Sequence, residues 1–318
     1  MIKKLPIGGK GGWDYPTVDS DARRLYISRS THVIVMDLDT EELTGDIADT
    51  PGVHGIALAP EFNRGFISNG RADTVTIFDL KTLRTIGQVK TGANPDAILY
   101  DPASKRVFAF NGRSHDATVF DAASGKIDIT IPLGGKPEFA QSDAKGNVYV
   151  NIEDTGELVK IDSRKLAVTG RFSLKPCEGP TGMAIDREHQ RIFSGCHNKL
   201  MTIFDGRREK VTATVPIGGG VDGNGFDPDS GLAFSSNGDG TLTVVRQSSP
   251  DKYQVEETVT TQRGARTMAI DPKTHKIYLP TAEFAPPSKS TPECSKSRPA
   301  MIENSFAVLV VGGVEKKK

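Results

Sequence analysis

The sequence predicts an all-β protein, a seven-bladed β-propeller with four antiparallel strands in each blade, on three observations. One unit recurs seven times in 318 residues: a Gly-rich entry, a short apolar strand ending near an Asp, a turn, and a second strand of the LYIS type. Its anchors are Asp19, Ala59 (where the pattern calls for Asp), Asp101, Asp143, Asp186, Asp227 and Asp271, spaced 40 to 44 residues apart, the length of a propeller blade. The runs between anchors alternate apolar and polar residues with period two, as half-buried strands do. Finally, the two chain ends complement each other. Residues 5–10 (LPIGGK) match 131–136 (IPLGGK) and 215–220 (VPIGGG), both of which close fourth strands, while the seventh unit has no fourth strand of its own.

Second strands are expected at residues 24–28, 65–68, 106–110, 147–150, 191–194, 232–235 and 276–279. Third strands end on Asp37, Asp79, Asp121, Asp162 and Asp205; Arg246 and Val311 hold the equivalent places, so blades six and seven diverge. Fourth strands are rich in Thr, Ile and Val, as at 211–215 and 255–259. Blade seven reads as an inner strand at 267–270, a second at 276–279 and a third at 306–311, with residues 2–8 as its outer strand, so that 1–318 forms one domain. Pairing the termini in one blade hides two sheet edges that would otherwise recruit other chains. Residues 283–303 carry Pro286, Pro287, Pro292 and Pro299 among Ser, Lys and Thr, a composition that predicts a flexible insert able to lie over the channel mouth. Residues 314–318 read as a solvated tail.

Lys+Arg 40 balance Asp+Glu 40, and a formal net charge of zero argues against a nucleic-acid partner. The longest apolar run, residues 306–311, falls far short of the roughly 20 residues that span a bilayer. No cleavable leader is visible, and Met1 stands directly before a predicted strand, as in a mature chain whose leader has been replaced by a start codon. Cys177, Cys196 and Cys294 show no C-x-x-C spacing, which argues against a zinc ribbon or a thioredoxin-like site. The nucleophile elbow, the Walker A loop, the H-E-x-x-H helix and the β-α-β dinucleotide fingerprint are all missing.

The second-strand ends YIS, FISNG, FAFNG, YVN and FSSNG, each set after an inner strand of the P-x-x-I-x-x-D-P kind, resemble the YVTN repeat of the YncE family of propellers over nearly the whole chain. That resemblance implies seven blades and a periplasmic or secreted location. It implies no activity, because related propellers include binding scaffolds, lactonases, lyases and dehydrogenases. Two features depart from the repeat: Cys196 stands where other blades carry Asn, and blade seven holds the insert. In an exported protein a Cys177–Cys196 disulfide is expected, with Cys294 free or disordered. A soft-metal site of Cys196, His197 and His54 is the alternative.

The residue five positions before each anchor is Asp14, His54, Asp96, Glu138, Thr181, Asp222 or Arg266, one per blade, so these must ring one mouth of the central channel. Four carboxylates in a narrow mouth repel one another and either hold protons or attract a cation. Trp13, Tyr15, Asn94, Lys136 and Asn224 lie beside them in sequence, with His197 on the same face, a set suited to a small polar or sugar-like ligand. Structural salt bridges in a solvated channel lining explain the same residues. Asn69, Asn111, Asn151 and Asn237 end second strands, and three of them precede Gly; Asn-Gly is a turn signal because both residues tolerate φ > 0, which accounts for them without a metal.

Two functions suit this pattern. One is an exported, monomeric binding scaffold that holds a small molecule, glycan or peptide at the channel mouth. The other is a metal-assisted lactonase, lyase or hydrolase, in which Asp96, Glu138, Asp222 and His54 surround a divalent cation (Ca²⁺, Mg²⁺ or a transition metal), His54 serves as general base and Arg266 stabilises developing negative charge.

Overall fold

The computed structural model describes residues 2–286 and 300–312. Seven four-stranded antiparallel sheets each run in order from an inner to an outer strand. The inner strands are Pro16–Asp19, Val53–Ala59, Pro95–Asp101, Pro137–Ser142, Pro180–Asp186, Val221–Asp227 and Ala269–Asp271. Among the described residues the only helical element is one 3-10 turn, Pro60–Phe62, in the blade whose anchor is Ala59 rather than Asp. No helix among them is long and apolar enough to cross a membrane.

The anchor carboxylates end the inner strands by taking backbone N–H groups of the following turn: Asp101 from Ser104 at 2.9 Å, Asp186 from Glu188 and His189 at 3.1 Å each. Their remaining oxygens reach the next blade. Ser142 Oγ donates to Asp101 at 2.5 Å, Gln247 Nε2 to Asp186 at 3.0 Å, and His275 Nδ1 lies 2.9 Å from Asp227. The third-strand Asp residues cap the next turn in the same way, as Asp37 does for the N–H groups of Asp39 and Thr40. Blade six lacks that cap. Its third and fourth strands, Thr241–Ser249 and Lys252–Thr260, are correspondingly long, and Arg246 pairs across them with Glu256.

Seven buried apolar clusters hold the ring together, one at each interface between consecutive blades. At the joint of the two termini, Ile2–Pro6 pairs antiparallel with Ala307–Val311 as the outer strand of blade seven, in register from Ile2↔Val311 to Pro6↔Ala307. Leu5 is buried there, and the N–H groups of Ile7 and Gly8 both donate to the Phe306 carbonyl. Across the same joint Arg23 Nη1 donates to Asp271 at 2.7 Å.

Cys177 and Cys196 form a disulfide with Cα atoms 5.4 Å apart, as expected, and this removes Cys196 from any soft-metal site. Cys294 and the tail at 314–318 lie outside the described residues. So does the span of the insert from 287 to 299, on which the lid expectation rests; its described legs pair through Phe284 and Met301.

Deleting residues 2–8 removes the closing ladder and the Leu5 contact, and exposes the apolar edge Ala307–Val311. A drop in melting temperature of roughly 5–15 °C is expected, together with concentration-dependent association. Differential scanning calorimetry and light scattering on the truncated chain test this; an unchanged melting temperature would show that closure contributes nothing.

Candidate functional site

The mouth ring is built on β-bulges. In blades two to five the ladder between inner and second strands slips at Val53/Ile56, Pro95/Ile98, Pro137/Ala140 and Pro180/Met183, and in blade six at Val221/Gly223. The residues released by the slips include His54, Asp96, Glu138, Thr181 and Asp222. A bulge turns a side chain out of the ladder, and it supplies the ring position in these five blades, while Asp14 and Arg266 come from the entry loops before the inner strands of blades one and seven. Second-strand serines hold the bulged backbone from behind: Ser28 Oγ accepts the Asp14 N–H at 2.8 Å, Ser68 Oγ donates to the Asp96 carbonyl of the next blade at 2.5 Å, and Ser236 Oγ donates to the Arg266 carbonyl at 2.5 Å. In blade four Asn151 replaces serine in this role and donates to the Thr181 carbonyl at 2.8 Å.

Three ion-pair groups result. His54 Nδ1 lies 2.6 Å from Asp14 and 3.6 Å from Asp96. Lys136 Nζ lies 2.6 Å from Glu138 and also pairs with Glu153, which in turn is 3.7 Å from His197. Arg266 Nε lies 2.8 Å from Asp222. Glu153, from the loop after the second strand of blade four, escapes the sequence reading because it falls outside the repeat positions that define the ring.

Burial pushes the carboxyls of Asp96, Glu138 and Asp222 upward. Neighbouring acids add to this, and His54, Lys136 and Arg266 only partly oppose it. For His54 burial alone would lower the pKa, but the hydrogen bond to Asp14 and the charges of Asp96, Asp14 and Glu138 prevail and raise it to about 9. Tyr15, buried beneath the ring, is pushed well above the ordinary tyrosine value by burial and then by the charges of Asp222, Asp96, Asp14 and Glu138. It is therefore a neutral hydroxyl in an acidic surround.

Of the residues proposed from sequence, the fold gathers Asp14, Tyr15, His54, Asp96, Lys136, Glu138, Asp222 and Arg266 at one mouth. His197 sits at the rim, half exposed. Asn94 packs its amide beside Gly70 and Gly112 next to His54. The remaining two point elsewhere. Trp13 packs on Phe306 and Phe284, with ring centroids 5.4 and 6.0 Å apart, as part of the blade-seven/blade-one core. Asn224 is buried against the backbone of Phe193 and Gly195 in blade five. The strand-end asparagines are buried clamps: Asn69 Nδ2 donates to Thr74 and Thr76, and Asn237 Nδ2 to Thr241 and Thr243.

The Asn-Gly pairs need a corrected physical reason. None of Asn69, Gly70, Asn111, Gly112, Asn237 or Gly238 adopts positive φ; Asp73, His115 and Gly240 take that role in the same turns. Gly70 is required by proximity instead, since a Cβ there would lie 2.7 Å from His54 Nε2.

The fold and this mouth define the chain as a seven-bladed β-propeller with a charged, bulge-built channel entrance. No family model matches the sequence, and no curated protein does. Among solved structures the chain is similar to hydrazine synthase of Kuenenia stuttgartiensis, with a TM-score of 0.54 and 17% sequence identity over 77% of this chain and 96% of that one. At that identity the likeness is one of fold alone.

The raised His54 pKa has a definite sign for stability. Between the ordinary value of 6.5 and about 9 the folded chain holds a proton that the unfolded chain has lost, so stability falls as pH rises through that window. The raised carboxyls act in the same direction above the usual carboxylate range. A melting temperature roughly 3–10 °C lower at pH 9 than at pH 6 is expected, with the decline blunted in His54→Gln. A flat or rising profile in calorimetric scans would contradict this account of the ring.

Proposed function

We propose that the chain is an exported, YncE-like binding propeller whose channel mouth takes a small cationic ligand. The supporting observation is the charge imbalance of the mouth: five carboxylates, Asp14, Asp96, Glu138, Glu153 and Asp222, face three bases, His54, Lys136 and Arg266, with the half-exposed His197 beside Glu153 at the rim. With those eight groups ionised and His197 neutral, the mouth carries two unmatched negative charges in a partly desolvated space, which is costly. Without a ligand, protons meet that deficit, and the upward-shifted carboxyls express it. A ligand that brings its own positive charge removes the need for them. The Tyr15 hydroxyl at the floor adds a neutral hydrogen-bonding group, so a small polar amine is accommodated as well as a metal ion. The Cys177–Cys196 disulfide supports export, since such bonds persist in oxidising compartments. The YVTN-like strand ends support the kinship.

A specific observation favours a divalent metal as the source of the charge: Asp14, His54 and Asp96 each offer a ligand atom, and these atoms lie within 4.8 Å of one another. This set keeps Asp96 and His54 from the Asp96, Glu138, Asp222 and His54 group expected from sequence but has Asp14 in place of Glu138 and Asp222, which are already paired with Lys136 and Arg266. In a metal-assisted reaction His54 would then hold the ion rather than act as general base, and the mixed imidazole and carboxylate donors suit a transition metal better than Ca²⁺.

Isothermal titration and thermal shift at pH 8, with Ca²⁺, Mg²⁺, Mn²⁺, Zn²⁺ and EDTA in one arm and putrescine and ethanolamine in the other, separate these sources. Binding should tighten with pH as protons are displaced, and weaken by at least about tenfold in Asp222→Asn. A metal shift abolished by His54→Gln would identify a metal centre. An amine shift without a metal shift would identify an amine-binding scaffold, and no response in either arm would defeat the proposal.

A further inference from the structure

Seven equivalent interfaces are packed side by side in this ring, so a gap at one of them stands out against the other six. The third-strand residue that pairs with the second-strand position six after the anchor faces the preceding blade. In blades one to six it is Met36, Phe78, Phe120, Ile161, Phe204 and Val245, each at 0% exposure. In blade seven the position falls to Val311, paired with Ile277 and 7% exposed. The residues of blade six that face it are open too: Phe234 is 7% and Val244 8% exposed, whereas the counterpart pairs in blades one, three and five, Tyr26/Val35, Phe108/Val119 and Phe193/Ile203, are at 0%. Toward blade five, blade six presents the equally small Ala233 and Val245, but there Tyr253 fills the space with its ring 5.9 Å from that of Phe193. Among the described residues no such ring reaches Val311, and Phe234 is the one aromatic in the cluster shared by blades six and seven.

The space left is a cavity of about 500 Å³ between the two blades, within the size range of small-molecule sites. It reaches the anchor Asp227 and so lies toward the face opposite the acidic mouth. Leu232, Phe234, Leu242, Val244, Ile277 and Val311 form its floor, and Ile2 of the closing strand its outer wall. The lip is acidic: Asp227, Asp229, Glu256 and Glu257 stand there with Arg246 and His275. Arg246 Nη2 donates to Glu256 at 2.8 Å, and His275 Nδ1 lies 2.9 Å from Asp227, so those two acids are matched. Among the described residues no basic group comes within 4.0 Å of Asp229 or Glu257. Apolar surface left in a hollow favours an apolar body, and two unmatched carboxylates at its edge favour a positive charge.

We propose that this cavity binds a small amine with an apolar body, its ammonium group drawn to the lip by Asp229 and Glu257 and its body against Phe234, Val244, Ile277 and Val311. An inorganic cation would meet the charge of the lip and leave the floor uncovered. An apolar acid would cover the floor and add to the negative charge. An amphiphilic cation answers both, and it does so at a site that shares no residue with the channel mouth.

The test uses the full chain and three probes of one shape, 3-phenylpropylamine, 3-phenylpropanol and 3-phenylpropionate, followed by calorimetry and saturation-transfer NMR. The amine should bind about fivefold more tightly than the alcohol, and the acid more weakly than both. Asp229→Asn combined with Glu257→Gln, both on the surface, should bring the amine down to the level of the alcohol. Val311→Phe gives blade seven the ring that blades two, three and five carry at the same position; it should abolish binding of amine and alcohol while the melting temperature holds or rises. Excess putrescine, the probe for the mouth, should not displace the amine, and Val311→Phe should leave the response of the mouth to metals and putrescine intact, so that the two sites fail separately. Equal binding of the three probes, an amine preference that survives the double substitution, undiminished binding in Val311→Phe, or displacement by putrescine would each overturn the proposal. So would a full chain that binds no amine, including one that binds it only once residues 313–318 are removed, since the basic end of the chain would then be the occupant.

Discussion

Five residues, Ile2–Pro6, paired with Ala307–Val311 join the two ends of this chain, and the remaining interfaces depend on that join. A blade buries its two faces only between neighbours, and each of the seven apolar clusters draws on two consecutive blades. If the outer strand leaves blade seven, Leu5 is lost from the cluster shared with blade one, and the third strand of blade seven becomes an open edge. An open ring has no reason to keep its radius, because sheets packed in a row are free to change their twist relative to one another. A closed one has its radius set by the number of blades and the thickness of each interface.

The mouth inherits that constraint. Asp14 and Arg266 stand on opposite sides of the joint, in blades one and seven, and Thr267 Oγ1 donates to the Asp14 carbonyl across it at 2.9 Å. Asp14 then holds His54, and His54 faces Asp96. The carboxylates are thus fixed at separations they would not choose, by backbone bonds and serine struts that are indifferent to their charge. The upward-shifted pKa values of Asp96, Glu138 and Asp222 express burial first and the nearness of other acids second, both consequences of a geometry imposed by ring closure.

Most of the architecture was legible because a propeller repeats: the anchors, the alternating strands, and the match of residues 5–10 to two fourth-strand ends suffice to count the blades and place the closing strand. Departures from the repeat were legible too, and Cys196 in an Asn position led to the disulfide. What could not be read is what the repeat does not encode. Glu153 lies off the ring positions and joins the site through Lys136. Trp13, adjacent to Asp14 in the loop before the inner strand of blade one, turns the other way into the core, where Phe306 and Phe284 receive it. The bulges that aim the ring are register shifts, and a one-residue slip leaves no composition mark. The Asn-Gly pairs read as turns for the wrong reason, since the close approach of His54 to Gly70 is a long-range fact.

The division of the channel follows from how closely the inner strands approach one another just below the ring. Gly55, Gly182 and Gly223 occupy that level in blades two, five and six. A Cβ at Gly182 would lie 2.9 Å from the Asn224 nitrogen, one at Gly223 2.9 Å from the Met268 nitrogen, and one at Gly55 3.0 Å from Ile98. The equivalent positions in blades one and four carry Tyr15 and Phe139, whose rings reach toward the axis and meet. With the strands drawn together by the glycines, two rings are enough to close the passage. Above them the bulges and entry loops present charge to water; below them the regular part of the inner strands surrounds a second cavity lined by Ile, Leu, Phe and Met side chains together with polar groups such as Thr17, Gln141 and Arg187. The aromatic bar thus separates the acidic mouth from the cavity below it. Tyr15, neutral and buried among acids, meets both environments with the two ends of a single side chain.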